Sequence, residues 1–276
     1  MMDKPVIIVT GCSTGIGAHC ARKLLEDGWR VIATARKDED LARLRAEGAE
    51  ALFLEHRDPD SIASFFSQAM ELTGNRLDAL FNNAGYAQPG AVEDLPIEAL
   101  REQMEVNFFA YHQIIHLAVP VMREQGHGRI INCSSVLGRV AMPWRGAYTA
   151  SKFALNALTK TLRMELDGTG IHVSLIEPGS IPSNIAANGV RYAMKYIDYA
   201  NSPHADKYRK RLENLNAQKP PTDLSGAEPV YKALRKALTS RRPRPHYPVK
   251  LETHIAIALD RLLPRDIFYR LLNRMA

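Results

Sequence analysis

The chain has 276 residues, 46% hydrophobic and 24% charged, which fits a globular protein with a substantial core. No run approaches the ~18 apolar residues of a membrane span, and the apolar stretch behind Asp3 and Pro5 is too short for a signal peptide. The net charge of +6 is uneven: residues 1–200 hold 20 Lys+Arg against 23 Asp+Glu, and residues 201–276 hold 16 against 7.

Short β-branched runs predict strands at 5–10, 30–35, 50–55, 77–82, 128–134 and 171–177. Those at 6–9, 79–81 and 130–131 are almost wholly apolar, the pattern of strands covered on both faces. Helical patterns fall between them, at 15–27, 38–47, 59–73, 97–124 and 148–167. The alternation predicts an α/β fold: one doubly wound parallel sheet of Rossmann type with helices on both faces, spanning 1–276 as a single domain. After Gly179 the pattern breaks. Residues 180–222 are polar and aromatic and are expected to form a substrate lid; a helix at 225–239 and a basic extension at 240–276, ending in an amphipathic stretch, follow.

"TGCSTGIG", residues 10–17, lies where the first strand meets the first helix. Gly11 allows the tight turn, Gly15 a close backbone approach to a pyrophosphate, and Gly17 close packing of helix on strand. The free N–H groups of Ser13, Thr14, Ile16 and their neighbours, with the positive end of the helix dipole, suit phosphates. A nicotinamide dinucleotide fits this pattern, and the end of the second strand selects which one. Position 35 is Ala, followed by Arg36 and Lys37. A guanidinium matches a 2′-phosphate, which favours NADP(H). Asp38 and Asp40 keep NAD(H) as the alternative, although both read as the start of the next helix.

"GAYTASKFAL", residues 146–155, sets Tyr148 and Lys152 four positions apart on one helix face. A phenol is a poor acid-base catalyst at neutral pH, and an ammonium beside it is expected to lower its pKa. "NNAG" at 82–85, "INCSSVLG" at 131–138 and "EPGSIPS" at 177–183 complete an ordered set. Through it the chain resembles the classical short-chain dehydrogenase/reductase family, closely over residues 5–185 and on its steroid- and retinol-dehydrogenase side.

The resemblance implies a catalytic set of Asn107, Ser135, Tyr148 and Lys152. Ser135 is chosen over Ser134 because the family's serine lies thirteen positions before its tyrosine. It further implies that Lys152 holds the nicotinamide ribose, that Asn107 anchors a water supplying protons to Lys152, and that Ser135 binds the substrate oxygen. Asn83, Ala84 and Gly85, next to Asn82, would close on the adenosine side; Pro178, Gly179, Ile181 and Ser183 would hold the carboxamide. Where the family shows an acid after the third strand, this chain has Glu55 and then His56, with Asp58 placed to cap the next helix.

The expected reaction interconverts a lipophilic alcohol and its ketone or aldehyde. The lining expected for it is Ser135, Leu137, Met142, Trp144, Tyr148 and Tyr192, with Tyr86, Gln88 and Val136. The alternative is a nucleotide-sensing protein without turnover, which needs neither Tyr148 nor Ser135. No metal site is expected. Cys12, Cys20 and Cys133 have no ligand or disulfide spacing, consistent with a reducing, cytoplasmic setting. The basic quarter reads as solvated surface, without the aromatic-basic pattern of a nucleic-acid reader or a strong claim on a membrane surface. By resemblance, the chain pairs as a homodimer or homotetramer through the helices near 97–124 and 148–167.

Overall fold

A computed structural model describes residues 4–181, 185–216 and 225–275. Seven strands form one sheet: β1 (Val6–Val9), β2 (Arg30–Ala35), β3 (Glu50–Phe53), β4 (Ala79–Asn82), β5 (Gly128–Cys133), β6 (Ile171–Pro178) and β7 (His246–Val249). Their order is β3-β2-β1-β4-β5-β6-β7, and every neighbouring pair is parallel. The step from β1 to β4 reverses the direction of winding, which opens a crevice at the carboxyl ends of these two strands.

Side-chain alternation along each strand divides the core in two. Ile7 and Val9 face one apolar layer with α1 (Gly15–Glu26), α2 (Asp38–Ala46) and α9 (Glu228–Thr239). Val6 and Ile8 face the other, against α3 (Pro59–Thr73), α5 (Ala110–Gln125) and the end of α6 (Gly146–Glu165). The local signals act as sequence chemistry dictates. Asp58 caps α3 by accepting a 3.0 Å hydrogen bond from the Asp60 N–H, Pro59 starts the helix, and Gly74 in left-handed conformation ends it.

Three differences from the sequence expectation bear on function. The helical stretch at 97–124 is α4 (Ile97–Met104), a π-helical turn at Glu105–Phe109, and α5. The 240–276 segment is no appendage: it supplies the edge strand β7, α10 (Leu251–Leu262) and α11 (Arg265–Met275), with Phe268 and Leu272 buried against Val140. Pro248 hid β7 from the strand pattern, and an edge position tolerates it. Within 180–222 lie α7 (Ile185–Tyr196) and α8 (Ala205–Asn216).

Candidate active site

The glycine turn is held from two sides. The Thr10 hydroxyl accepts from the N–H groups of Asn83 and Ala84, and the Asn83 amide donates to the Thr10 carbonyl at 3.0 Å. Gly11 (φ 72°) and Gly15 (φ 61°) occupy left-handed backbone. A Cβ on Gly11 would come within 2.7 Å of Ala84 Cα, and one on Gly17 within 2.6 Å of Asn83 Nδ2. Thr14 makes no side-chain cap, and the first turn of α1 holds no acid, so its N–H groups are open to an anion. Ile16 packs on the core beneath.

At the end of β2, Arg36 reaches Glu55 at 3.4 Å, and Glu55 also takes Arg57 at 2.7 Å. Against the opposing pull of burial, these two guanidiniums hold Glu55 at about 2. Asp38 and Asp40 open α2, as expected. The sequence reading missed Arg43. From α2 it folds back over the glycine turn and donates to the Ser13 carbonyl at 2.8 Å. Only the fold brings a residue so far along the chain to that turn.

At the end of β5 the two serines part company. The Ser134 hydroxyl donates to Asn156 within a buried network of Asn156, Gly138, Glu177 and Arg139. The Ser135 hydroxyl accepts from the Leu137 N–H at 3.1 Å and lies near enough to Tyr148 to oppose the rise that burial imposes on its pKa. Val136 and Leu137 follow on a short 3₁₀ turn (Val136–Gly138).

Lys152, only 3% exposed, donates to the Cys133 carbonyl at 2.8 Å. Its Nζ lies 5.7 Å from the centre of the Tyr148 ring and 5.3 Å from that of Tyr111, whose hydroxyl donates to the Ala84 carbonyl. Among the described residues that carbonyl is its single hydrogen-bond acceptor, which leaves two ammonium protons for another molecule. The expectation that Lys152 lowers the Tyr148 pKa is not met. Burial pushes Tyr148 up to about 12, opposed by Ser135 and Arg145, while burial brings Lys152 down to about 8. Burial is the largest influence on the phenol, and the Lys152 ammonium, which donates to the Cys133 carbonyl, is not among the groups that oppose it.

Asn107 is wholly buried in the π-turn. Its side-chain oxygen accepts from the Tyr86 N–H at 3.2 Å, and its amide donates to the Tyr86 carbonyl at 2.9 Å and to Ser151 at 3.3 Å. The side chain therefore clamps the loop after β4.

The expected lining residues are scattered in role. Tyr86 stacks on Tyr192 of α7 with ring centres 3.9 Å apart. Gln88 is buried and pinned to Gln103 and Pro89. The Met142 carbonyl accepts from the Arg145 N–H, and Trp144 (φ 67°) packs edge-on against Tyr208 of α8 at 5.1 Å. Pro178 ends β6, and the loop behind it is held by the Ser180 N–H on Glu252, with Ile181 against the core. A Cβ on Gly179 would meet Glu252 at 2.7 Å. Ser183 lies outside the described residues, as do the parts of the expected lid at 182–184 and 217–222.

The profile of the family described as short chain dehydrogenase matches residues 5–191. The chain is 37% identical over 273 residues to the uncharacterized oxidoreductase YbbO of Escherichia coli K12, covering 99% of this chain and 95% of that one. A Burkholderia phymatum short-chain dehydrogenase/reductase in complex with NAD superposes with a TM-score of 0.75 at 25% identity, covering 97% and 95%. An actinorhodin polyketide ketoreductase with NADPH does so with 0.70 at 27% identity, covering 90% and 97%.

Proposed function

As a member of the short-chain dehydrogenase/reductase family, the chain is an oxidoreductase of CH–OH donors with NAD(P) as acceptor, and from that premise we propose that it interconverts a lipophilic alcohol and its ketone or aldehyde with NADP(H). One observation carries this reading: Ser135 stands beside the Tyr148 phenol, and the Lys152 ammonium, sheltered from water, lies 5.7 Å from the centre of the Tyr148 ring.

The turn fits a dinucleotide by the two glycines that no side chain can replace and by the uncapped start of α1. Arg36 and Arg43 flank its adenosine side, and both are suited to a 2′-phosphate. Asn83, Ala84 and Gly85 would close over the adenosine. Lys152 would use its two free protons on the nicotinamide ribose hydroxyls, and Pro178, Gly179, Ile181 and Ser183 would meet the carboxamide. Bound there, NADPH supplies the hydride. Tyr148, protonated at neutral pH because of its burial, gives its proton to the carbonyl oxygen. Ser135 donates a hydrogen bond to that oxygen as negative charge builds on it. The Lys152 ammonium, 5.7 Å from the centre of the Tyr148 ring, would stabilise the phenolate through space without a direct hydrogen bond, and a water on the Asn107 backbone would return the proton. The Asn107 side chain is already engaged with Tyr86, so its part would fall to the π-turn carbonyl.

NADPH consumption against a panel of lipophilic ketones and aldehydes tests the reading, with Tyr148→Phe alongside. Turnover should fall by about 100-fold or more in the variant while NADPH still binds, and the parent should bind NADPH more tightly than NADH. Turnover surviving in Tyr148→Phe would overturn the proton path. Tight NADPH binding with no turnover of any carbonyl would favour the sensing protein. We place self-association on the outer faces of α5 and α6, where Phe153 and Met164 are exposed.

A further inference from the structure

Asn156 follows Tyr148 and Lys152 on α6 at the same four-residue step, so the helix sets the three side chains on one face at successive turns. Each meets the end of β5. Tyr148 stands beside Ser135, Lys152 donates to the Cys133 carbonyl at 2.8 Å, and Asn156, 2% exposed, engages Ser134 and Gly138. Asn156 takes no part in the proton path.

The pairing of β5 with β6 runs to Cys133, opposite Ile176, and the Ser134 N–H adds a 2.8 Å bond to the Ile176 carbonyl. From there the backbone leaves the sheet for the 3₁₀ turn, with Ser135 at the bend. Asn156 holds this bend on both sides. Its side-chain oxygen accepts from the Ser134 hydroxyl at 2.5 Å, before Ser135, and its amide donates to the Gly138 carbonyl at 2.9 Å, after it. A Cβ on Gly138 would come within 2.7 Å of both Asn156 Nδ2 and Ser134 Oγ, so glycine is what lets the three meet.

The orientation of that amide is fixed from behind. Glu177, wholly buried, accepts from Asn156 at 3.2 Å and from Arg139 at 2.6 and 3.2 Å, and it lies 3.2 Å from His246 Nδ1. Against the opposing pull of burial, His246 and Arg139 keep its carboxyl below the ordinary range, so at neutral pH it only accepts. The Gly138 carbonyl likewise only accepts. Both require the nitrogen of the Asn156 amide, which turns its oxygen toward Ser134 and makes that hydroxyl the donor.

We propose that Asn156 is the positioning residue for Ser135: oriented by Glu177, it grips Ser134 and Gly138 and so holds the Ser135 hydroxyl beside Tyr148. This rests on the carbonyl–alcohol reading of the same site. One helix face thereby sets proton donor, cation and serine in register, and a shift of the bend that left the fold intact would still misplace the group that meets the substrate oxygen.

The test is a double-mutant cycle joined to a readout that needs no turnover. On a carbonyl compound that the parent reduces, Ser135→Ala should lower kcat by about 100-fold. Asn156→Ala should lower it by about 10-fold or more with the Kd for NADPH unchanged. The double variant should be no slower than Ser135→Ala alone, because a hydroxyl already displaced has little left to lose. Additive losses would overturn the proposal, as would a Kd for NADPH that rises in step with the fall in kcat. Amide hydrogen exchange reads the clamp without substrate. The N–H groups of Leu137 and Gly138 donate to Ser135, and in Asn156→Ala they should exchange about 10-fold faster while β1 and β4 keep the parent's rates. Unchanged exchange at Leu137 and Gly138, or exchange raised equally in β1 and β4, would overturn the proposal. If Asn156→Ala does not fold, Ser134→Ala removes the donor, leaves the rest of the network, and carries the same expectations. Failure of the underlying reading shows separately, as a parent that reduces no carbonyl or a fully active Ser135→Ala, and the exchange rates then decide the clamp.

Discussion

Lys152 holds a charge that its surroundings disfavour. Burial moves its pKa from 10.5 to about 8, which corresponds to about 3 kcal/mol of penalty on the charged folded state. The penalty is fully present below pH 8, where the folded ammonium stays charged, and fades as pH rises toward 10.5, where the unfolded side chain also loses its proton. Lys152→Met should therefore melt above the parent at pH 7, by about 3 kcal/mol at most, and the gap should close by pH 10.5. Activity should be lost at every pH. Thermal unfolding of both proteins across that range checks it, and a destabilised variant at pH 7 would mean that the ammonium is structural. At this scale the sequence was informative where spacing decides contact: Tyr148 and Lys152 share a helix face wherever the helix lies. It was silent on Arg43, whose partner on the glycine turn comes from a distant segment.

Among elements, α7 is tied to the site by charge. Glu102 of α4 accepts from Lys195 at 3.0 Å and from the Tyr196 hydroxyl, and pairs with Arg57, which also binds Glu55 beside Arg36. Against the opposing pull of burial, Tyr196, Lys195 and Arg57 keep the Glu102 carboxyl below its ordinary range. Glu102→Gln removes the charge at the centre of this chain, and the hydrogen bonds to it are together worth about 2 kcal/mol. We expect faster amide hydrogen exchange in α7 and a KM for the carbonyl substrate raised several-fold at nearly constant kcat. An unchanged exchange rate would detach α7 from this network. The cap of α3 was legible because Asp58 and Pro59 act on their own neighbours. The π-turn at Glu105–Phe109 was not, since its extra residue answers to Tyr86 and Ser151, on other segments.

Across the whole molecule, the apolar surface is uneven. Phe153 and Met164 lie eleven residues apart on α6, on one face, and Met164 is 70% exposed. Phe109 is exposed at the start of α5. Patches of this kind mark contact surfaces. Light scattering coupled to size exclusion should give a mass of two or four chains, and Phe153→Lys should reduce it. A monomer at micromolar concentration would remove that expectation. No helix among the described residues is long and apolar enough to cross a membrane.

Alone, the sequence determined what depends on near neighbours: the buried strands, the helix caps, the glycine turn, and the tyrosine–lysine spacing. Period and turn chemistry act over a few residues, so they survive without knowledge of the fold. Tertiary structure alone decided the edge strand β7, the separate surroundings of Ser134 and Ser135, and the reach of Arg43 to the glycine turn. It also set the balance at Tyr148, where desolvation outweighs Ser135 and Arg145. Burial and charge at a site are sums over every segment that surrounds it, and those segments meet only when the chain is folded.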